Sequence, residues 1–296
     1  MKLVMTLLVR DEEDILEANI CHHLNQGVDW IRVTDNGSVD GTVEILEKYK
    51  RMKYLDYTIE SKHTYEQDKW VSRMAKLEIE NGADYLIHSD ADELWTAGRD
   101  ASLKTLIGQV DSVGYVNVIN YLPPPTKTIL DFNFDNFKYI VSCPLKYPDS
   151  LYDMKSSKFL LYEYSPKVVT SNKFCKISYG NHFVKDVEMS EKQILRNLFI
   201  HHFPIRSYAH FEKKVINGGS SYEKNPLGDP NIGWHWKAWY VLYKKGELKK
   251  EYDRLCLKTN LLKLVDSGVV RESRVPRIIK YSTKIFPLTR LKKFFL

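Results

Sequence analysis

The first 95 residues alternate between short apolar runs and helical patterns, and this alternation restricts the fold more than any other feature of the sequence. Predicted strands cover 3–9, 30–34, 54–59 and the run that begins at 85, and predicted helices cover 15–24, 43–49 and 66–80. Strands joined by helices form parallel sheets through right-handed crossovers. The pattern therefore predicts an α/β fold, with a mixed, mainly parallel sheet flanked by helices and ligands bound beyond the carboxyl ends of the strands.

An acidic cluster ends the fourth predicted strand. The apolar run from Tyr85 leads into Asp90, Asp92 and Glu93. If the strand stays extended through Asp92, its period of two puts Asp90 and Asp92 on one face and Glu93 on the other. Two carboxylates on an apolar strand repel each other and lose hydration, a cost that Mg²⁺ or Mn²⁺ would offset. The alternative is an Asp-rich turn that caps the next helix.

Composition narrows the class of protein. The chain has 296 residues, of which 43% are hydrophobic and 28% charged, so it can bury a sizeable core and is not a disordered chain. The four cysteines are scattered, without the spacing of a metal knuckle or of a disulfide framework, which predicts reduced thiols in a cytoplasm. Because no apolar run approaches about twenty residues, we expect no membrane span, and any membrane contact should be peripheral.

The second half of the sequence has a weaker pattern. A strand is predicted over 114–121, an irregular loop over 126–155, and short strands over 158–162, 174–178 and 198–202. Ser207 is a predicted N-cap for a helix that ends at Gly218 and Gly219. Two more helices are predicted over 234–245 and 248–265.

The last 26 residues differ in composition from the rest. Residues 271–296 contain eight basic side chains and one acid, Glu272, while apolar residues from Ile278 to Phe295 fall near one helical stripe. This pattern is typical of a helix that lies on an anionic membrane surface. The alternative is a terminal helix docked on the core. Nucleic acid is not an expected partner, although the net charge is +6, because no base-stacking platform or nucleic-acid-binding motif is present.

Three motifs at predicted strand ends resemble the donor-site motifs of family 2-type glycosyltransferases with the GT-A fold. They are Leu7 to Glu12 (LLVRDE), Asp35 to Thr42 (DNGSVDGT) and Asp90 to Glu93 (DADE), in the same order and spacing as in that family. A later segment, His201 to Ser207 (HHFPIRS), is similar to a His-aromatic-x-x-Arg/Lys-Ser motif of one subgroup. The resemblance implies a GT-A domain over 1–220, with a donor half at about 1–122 and an acceptor half at 123–220, followed by a C-terminal helical extension over 221–296.

The resemblance also implies roles for single residues. The backbone after Leu8 and the side chains of Arg10 and Glu12 would line the nucleotide pocket, and Asp35 would contact the base or ribose. Asp90 would hold the ribose or a metal-bound water. Asp92 would ligate Mn²⁺ or Mg²⁺ that bridges the diphosphate of a nucleotide sugar.

Three further residues are candidates for the same site. Lys69 and Arg73 lie four residues apart on the third predicted helix, where they would face the diphosphate or form a solvated basic face. His202 ends an apolar run before a turn and is a candidate third contact to the metal or phosphate. His201 should face the opposite side.

The sequence offers two candidates for the catalytic base. Family members generally use an aspartate from a Glu-Asp pair after the metal motif, and this chain lacks that pair. The corresponding region, 180–188, offers His182 and Asp186, each with the alternative of being an ordinary loop residue.

Together these inferences predict a metal-dependent, inverting glycosyltransferase. It would move a sugar from a nucleotide diphosphate to a hydroxyl of a glycan or lipid-linked acceptor in surface polysaccharide synthesis, in the cytoplasm or on the inner face of the membrane. A nucleotidyltransferase is the main alternative, but residues 10–13 are acidic where such enzymes carry a basic, Gly-rich phosphate loop. A non-catalytic carbohydrate-binding protein with the same fold is the other alternative.

Overall fold

The computed structural model describes residues 1–60, 66–98, 101–124, 132–150, 153–185, 193–224, 233–256 and 260–283. The chain forms two compact units, which are described separately. Unit 1 contains 1–118, 165–202 and the described residues from 276 onward, and unit 2 contains 119–164 and 203–275. These units divide the chain at other points than the predicted boundaries near 122 and 220, which stay a prediction.

The described strands, in chain order, are β1 (Leu3–Val9), β2 (Trp30–Asp35), β3 (Leu55–Ile59), β4 (Tyr85–Asp90), β5 (Glu93–Ala97), β6 (Val113–Val116), β7 (Val118–Asn120), β8 (Tyr139–Val141), β9 (Lys167–Ser171), β10 (Gln193–Ile194), β11 (Leu198–His202) and β12 (Val270–Glu272). The described α-helices are α1 (Leu16–Asn25), α2 (Thr42–Arg51), α3 (Gln67–Glu80), α4 (Leu103–Ile107), α5 (Tyr208–Lys224), α6 (Trp234–Lys244), α7 (Leu248–Leu255), α8 (Leu261–Asp266) and α9 (Arg277–Ser282).

Unit 1 is built on a seven-stranded sheet with the order β10-β6-β9-β4-β1-β2-β3. The strands from β4 to β3 run parallel to their neighbours, whereas β9 is antiparallel to both β4 and β6. This mixed, mainly parallel sheet confirms the predicted α/β fold class. Leu8 on β1 is level with Thr34 on β2 and with Asp90 on β4, so the carboxyl ends of these strands share one edge.

The continuous apolar character of β1 has a direct structural reason. Every residue of β1 is buried, as expected for a parallel strand that is covered on both faces. Helix α3 packs against β1 and β2, and α1 contributes Leu16, Ile20 and Leu24 to the core that β1 shares. Asp11 does not cap α1, because α1 begins at Leu16 and Asp11 contacts the loop after β2.

Two predicted strands are wrong, and several described strands, among them β8, β9 and β12, were not predicted. Residues 156–161 form a 3₁₀ helix, and 174–178 contain only an isolated bridge at Ile177. Of these unpredicted strands, β9 lies between β4 and β6 in the large sheet. Its sequence from Val168 to Thr170 is β-branched, but the run is short, and its strand character comes from pairing with distant parts of the chain.

Unit 2 packs α5, α6 and α7 around buried aromatic side chains, among them Phe211, Trp239 and Tyr252. Helix α5 continues through Gly218 and Gly219, where the sequence predicted its end. A Cβ at Gly219 would overlap Tyr240 of α6, so the glycine is required by the close approach of the two helices. The segment 248–265 forms two helices, α7 and α8, rather than the predicted single helix.

Within the basic C-terminal segment, 271–296, the described residues from 276 onward belong to unit 1. In α9, Ile279 is fully buried and the Ser282 hydroxyl lies 2.6 Å from His22 Nδ1 of α1, while the amide of Asn25 donates to the Ser282 carbonyl at 2.9 Å. This matches the docked alternative for 276–283, and the rest of the predicted amphipathic stripe, 284–296, lies outside the described residues. Among the described helices, none is long and apolar enough to cross a bilayer.

Candidate functional site

The loops after β1 and β2 are tied together by the side chains of the first two motifs. The Asp11 amide, held at a φ of 56°, donates to Ser38 Oγ at 2.9 Å, and the Asp11 carboxylate accepts from the Val39 amide at 2.8 Å. The carboxylate of Asp35 accepts from the Ser38 amide at 3.1 Å and from its hydroxyl at 2.5 Å. Asp35, predicted to contact the base or ribose, is fully buried and organises this turn.

The acidic residues after β1 extend the same loop pair. The Glu12 amide donates to Thr42 Oγ1 at 2.9 Å, and the Glu13 carboxylate accepts from the Gly41 amide at 2.8 Å, next to the start of α2. A carboxylate at a helix N-terminus is stabilising, which explains the acidic run. Arg10 is 23% exposed, with Nε 3.9 Å from Asp11 Oδ2. The predicted pocket residues Leu8, Arg10 and Glu12 therefore surround the carboxyl end of β1.

The acidic cluster does not have the predicted strand geometry. Strand β4 ends at Asp90, residues 91 and 92 form a turn, and Glu93 opens β5. The prediction that Asp90 and Asp92 alternate on one strand face is therefore wrong. The physical reason is Asn19 of α1, whose amide donates to the carbonyls of Ala91 at 2.9 Å and Glu93 at 2.8 Å and holds the turn.

Asp90 and Glu93 instead meet on a buried lysine. Lys167 Nζ, from β9, lies 2.7 Å from Asp90 Oδ2 and 2.8 Å from Glu93 Oε1, and its side chain has no exposed surface. Burial raises the pKa of Glu93 to about 8, an effect that Lys167 opposes and the carboxylates of Asp90 and Asp92 reinforce. The sequence analysis predicted neither β9 nor a site role for Lys167. The signal that could have indicated them is a lysine directly before a β-branched run.

Asp92 lies beside His202. Antiparallel pairing of β5 with β11 places His202 opposite Glu93, and His202 Nε2 is 3.6 Å from Asp92 Oδ1. Both side chains are under a tenth exposed. The separation is longer than a good hydrogen bond, whereas two ligands of one Mg²⁺ or Mn²⁺ ion, each about 2.1 Å from it, lie roughly 3–4 Å apart. The pair therefore fits a divalent cation, and in the described ranges no third His, Cys, Asp or Glu joins it.

The two predicted cationic residues on α3 form ion pairs. Lys69 is 68% exposed and contacts Glu66 at 2.6 Å, and Arg73 contacts Glu60 at 2.6 Å. The Glu60 amide donates to the Asp35 carbonyl at 2.7 Å, so Arg73 reaches a residue that adjoins the end of β2. A role for either cation in diphosphate binding stays a prediction.

Of the two candidate bases, only His182 lies in the described residues. His182 Nδ1 donates to the Pro166 carbonyl at 3.1 Å, and burial, helped by the nearby Lys167, lowers the pKa of His182 to about 4. Asp186 lies outside the described residues. His201 Nε2 lies 3.1 Å from Thr96 Oγ1.

In unit 2, the rest of the HHFPIRS segment supports α5. Ser207 Oγ accepts from the His210 amide at 3.1 Å, which confirms the predicted N-cap. Arg206 is buried, with Nη2 2.7 Å from His210 Nε2. Arg206 therefore contacts the first turn of α5.

Comparison with known proteins gives only distant similarity. No family model matches the sequence, and no curated protein matches it. Among solved structures, S. aureus TarS shares 12% identity with this chain at a TM-score of 0.37. The match covers 74% of this chain and 40% of TarS. The 1–349 fragment of TarS in complex with UDP-GlcNAc shares 11% identity, covers 99% of this chain and 92% of its own, and has a TM-score of 0.37.

Glucosyl-3-phosphoglycerate synthase from Mycobacterium tuberculosis, in complex with Mn²⁺, UDP and glucosyl-3-phosphoglycerate, shares 15% identity over 58% of this chain and 57% of its own, with a TM-score of 0.31. Similarities of this size do not assign an activity to the chain.

Proposed function

We propose that the chain is a metal-dependent glycosyltransferase that takes its sugar from a nucleotide diphosphate donor. The observation that carries this proposal is the Asp92–His202 pair, 3.6 Å apart, beside Asp90 at the carboxyl edge of a parallel sheet. Ligands of open α/β sheets bind at this edge. A cation held by Asp92 and His202 would supply positive charge where the leaving diphosphate becomes more negative.

The nucleotide would lie across the ends of β1 and β2. Val9 pairs with Asp35, and Leu8 pairs with Asp90, so Asp35 and Asp90 lie on opposite sides of β1, roughly 10 Å apart by the strand spacing. A ribose fits a span of that length between a base-binding loop and a diphosphate site. Arg10, Glu12 and the backbone after Leu8 would complete the pocket, with Arg73 at its β3 side.

The transfer step needs a nucleophile and a proton acceptor. The acceptor hydroxyl oxygen forms a bond to the anomeric carbon as the bond from that carbon to the diphosphate oxygen breaks, and the electron pair leaves on the diphosphate. The hydroxyl proton passes to the base, and direct displacement inverts the anomeric carbon. The candidates for this base are Asp186 and His182, and burial keeps the His182 imidazole in the neutral form that accepts a proton by lowering its pKa to about 4.

The acceptor is a hydroxyl of a glycan or lipid-linked molecule, and the process is surface polysaccharide synthesis at the inner face of the membrane. Support for a peripheral location is the composition of 271–296, in which eight basic residues accompany one acid. Ile278 and Tyr281 on α9 are 45% and 68% exposed, so apolar surface is available at the start of this segment.

Turnover of nucleotide sugars tests the proposal. Purified protein is incubated with Mn²⁺ and a panel of UDP, GDP, ADP and CDP sugars, and release of nucleoside diphosphate is measured with and without EDTA. We expect metal-dependent release from one donor class and at least a hundredfold loss in Asp92→Asn and His202→Ala. Lys249→Met, which removes a surface pair with Asp253 in α7, is the matched control.

Two results would contradict the proposal. Release of pyrophosphate from a nucleoside triphosphate and a sugar phosphate would identify a nucleotidyltransferase. Sugar binding that neither needs Mn²⁺ nor leads to release of nucleoside diphosphate from any donor would identify a carbohydrate-binding protein.

A further inference from the structure

The carboxylate of Asp90 is surrounded by nitrogen donors. Lys167 Nζ donates to Oδ2 at 2.7 Å, Gln67 Nε2 donates to Oδ1 at 3.2 Å, and Asn181 Nδ2 approaches Oδ1 at 3.5 Å. A carboxylate held by several N–H groups is stabilised as an anion and is oriented by them. These contacts differ from those of Asp92, which lies beside a histidine ring at metal-ligand spacing.

The supporting residues are themselves fixed by contacts across unit 1. Gln67, the first residue of α3, accepts from the Gly180 amide at 3.0 Å through its other amide atom. Asn181 follows Gly180, is fully buried and has a φ of 59°. Its Oδ1 is buried and makes no hydrogen bond in the described residues, whereas its Nδ2 faces the Asp90 carboxylate. The loop after β9 is thereby anchored beside Asp90.

Exposure separates the roles of Lys167 and Asp90. The Asp90 side chain is 28% exposed, so a ligand can reach it, whereas Lys167 has no exposed surface and cannot touch one. Any effect of Lys167 on a ligand must therefore act through the carboxylates that it holds.

We propose that Lys167 is a positioning residue of the donor site. Its ammonium group holds Asp90 as a hydrogen-bond acceptor for a ribose hydroxyl of the nucleotide and keeps the divalent cation on Asp92 and His202. A cation shared by Asp90 would stand close to the ammonium group, and like charges at that distance repel strongly in a buried site. This inference rests on the proposed function. It implies that Lys167 reserves Asp90 for the nucleotide and leaves the cation to Asp92 and His202.

A double-mutant cycle tests the inference. The probe is whichever of UDP, GDP, ADP and CDP binds the wild-type chain most tightly with saturating Mn²⁺, measured by calorimetry. We expect Lys167→Met and Asp90→Asn each to weaken binding at least tenfold, and the double variant to bind no more than threefold more weakly than Asp90→Asn. Independent, multiplying effects would overturn the inference.

Metal binding provides a second readout that does not depend on activity. Mn²⁺ affinity, followed by electron paramagnetic resonance, should fall at least tenfold in Asp92→Ala and His202→Ala, and should be unchanged or tighter in Lys167→Met. A loss in Lys167→Met as large as that in Asp92→Ala would contradict the proposal.

A second variant, which changes both Lys167 and Glu93, separates loss of folding from loss of nucleotide binding. Lys167→Met removes a hydrogen-bond donor from the buried Glu93 carboxyl, so Lys167→Met with Glu93→Gln, whose amide carries its own donors, should recover the thermal stability but not the nucleotide affinity. Recovery of both would show a purely structural lysine and overturn the inference. If the wild-type chain binds none of the four nucleotides, the proposed function itself fails, and the inference fails with it.

Discussion

Replacing Ser38 by alanine should loosen the pocket without removing a ligand contact. The Ser38 hydroxyl donates to the buried Asp35 carboxylate at 2.5 Å and accepts from the Asp11 amide at 2.9 Å, so it joins the loops after β1 and β2. The alanine variant leaves a carboxylate oxygen without one donor and a backbone N–H without its acceptor.

The expected cost follows from these two contacts. A hydrogen bond to a charged group contributes about 1.5–3 kcal/mol, and a buried N–H left without a partner costs about 1–3 kcal/mol. The terms overlap, and Ser38 is only half-buried, so water can replace part of the loss. We expect Ser38→Ala to lower the free energy of unfolding by about 1.5–3 kcal/mol.

Urea unfolding and calorimetric titration with a nucleoside diphosphate and Mn²⁺ measure the two consequences. The variant should lose stability as calculated and bind the nucleotide roughly tenfold more weakly, equivalent to about 1.4 kcal/mol. Val39→Ala is the matched control, because Val39 is 85% exposed and contributes only its backbone amide to Asp11. If Ser38→Ala changes stability by less than about 0.5 kcal/mol and binds normally, the loops are not held in this way.

Two further predictions concern stability. Gly219→Ala should destabilise the protein by about 1–3 kcal/mol, because its Cβ overlaps Tyr240, whereas Gly98→Ala, with its nearest atom at 3.4 Å, should be close to neutral in thermal unfolding. Besides that of His182, burial lowers the pKa of four further histidines to about 4 or about 3. They are His22, His88, His201 and His235. Because they fold as neutral groups, their stabilisation is full above pH 6.5 and is lost as the pH falls toward 4, and His88→Gln should reduce the pH slope of unfolding by up to about 1.4 kcal/mol per pH unit.

The sequence predicted the elements whose patterns are local. Strands β1 to β4 and helices α1 to α3 appear close to their predicted bounds, because continuous apolar runs and 3.6-residue spacing directly reflect which faces are buried. The alternation of strands and helices also predicted that the central strands of the sheet run parallel. Asp35 and Asp90 were correctly placed at strand ends for the same reason.

Features that depend on distant contacts were not predictable in this way. The turn at Ala91 is held by Asn19, which is 72 residues away, and Lys167 meets Asp90 across 77 residues. Local periodicity predicts neither of these distant partners. The sequence analysis therefore expected Asp90 and Asp92 to share one strand face, whereas in the structure Asp90 and Glu93 share contacts with Lys167. The pairing of Asp92 with His202 depended on a motif resemblance, and antiparallel β5 and β11 provide its structural basis.

The metal-dependent binding of a nucleoside diphosphate tests the central claim most directly. Calorimetric titration of the wild-type chain with UDP, GDP, ADP or CDP should show binding with Mn²⁺ that disappears on addition of EDTA. Asp92→Ala should abolish that binding while the thermal stability of the metal-free protein stays close to wild type. Equal nucleotide affinity in the wild type and in Asp92→Ala, with Mn²⁺ present, would contradict a donor site built on Asp92 and His202.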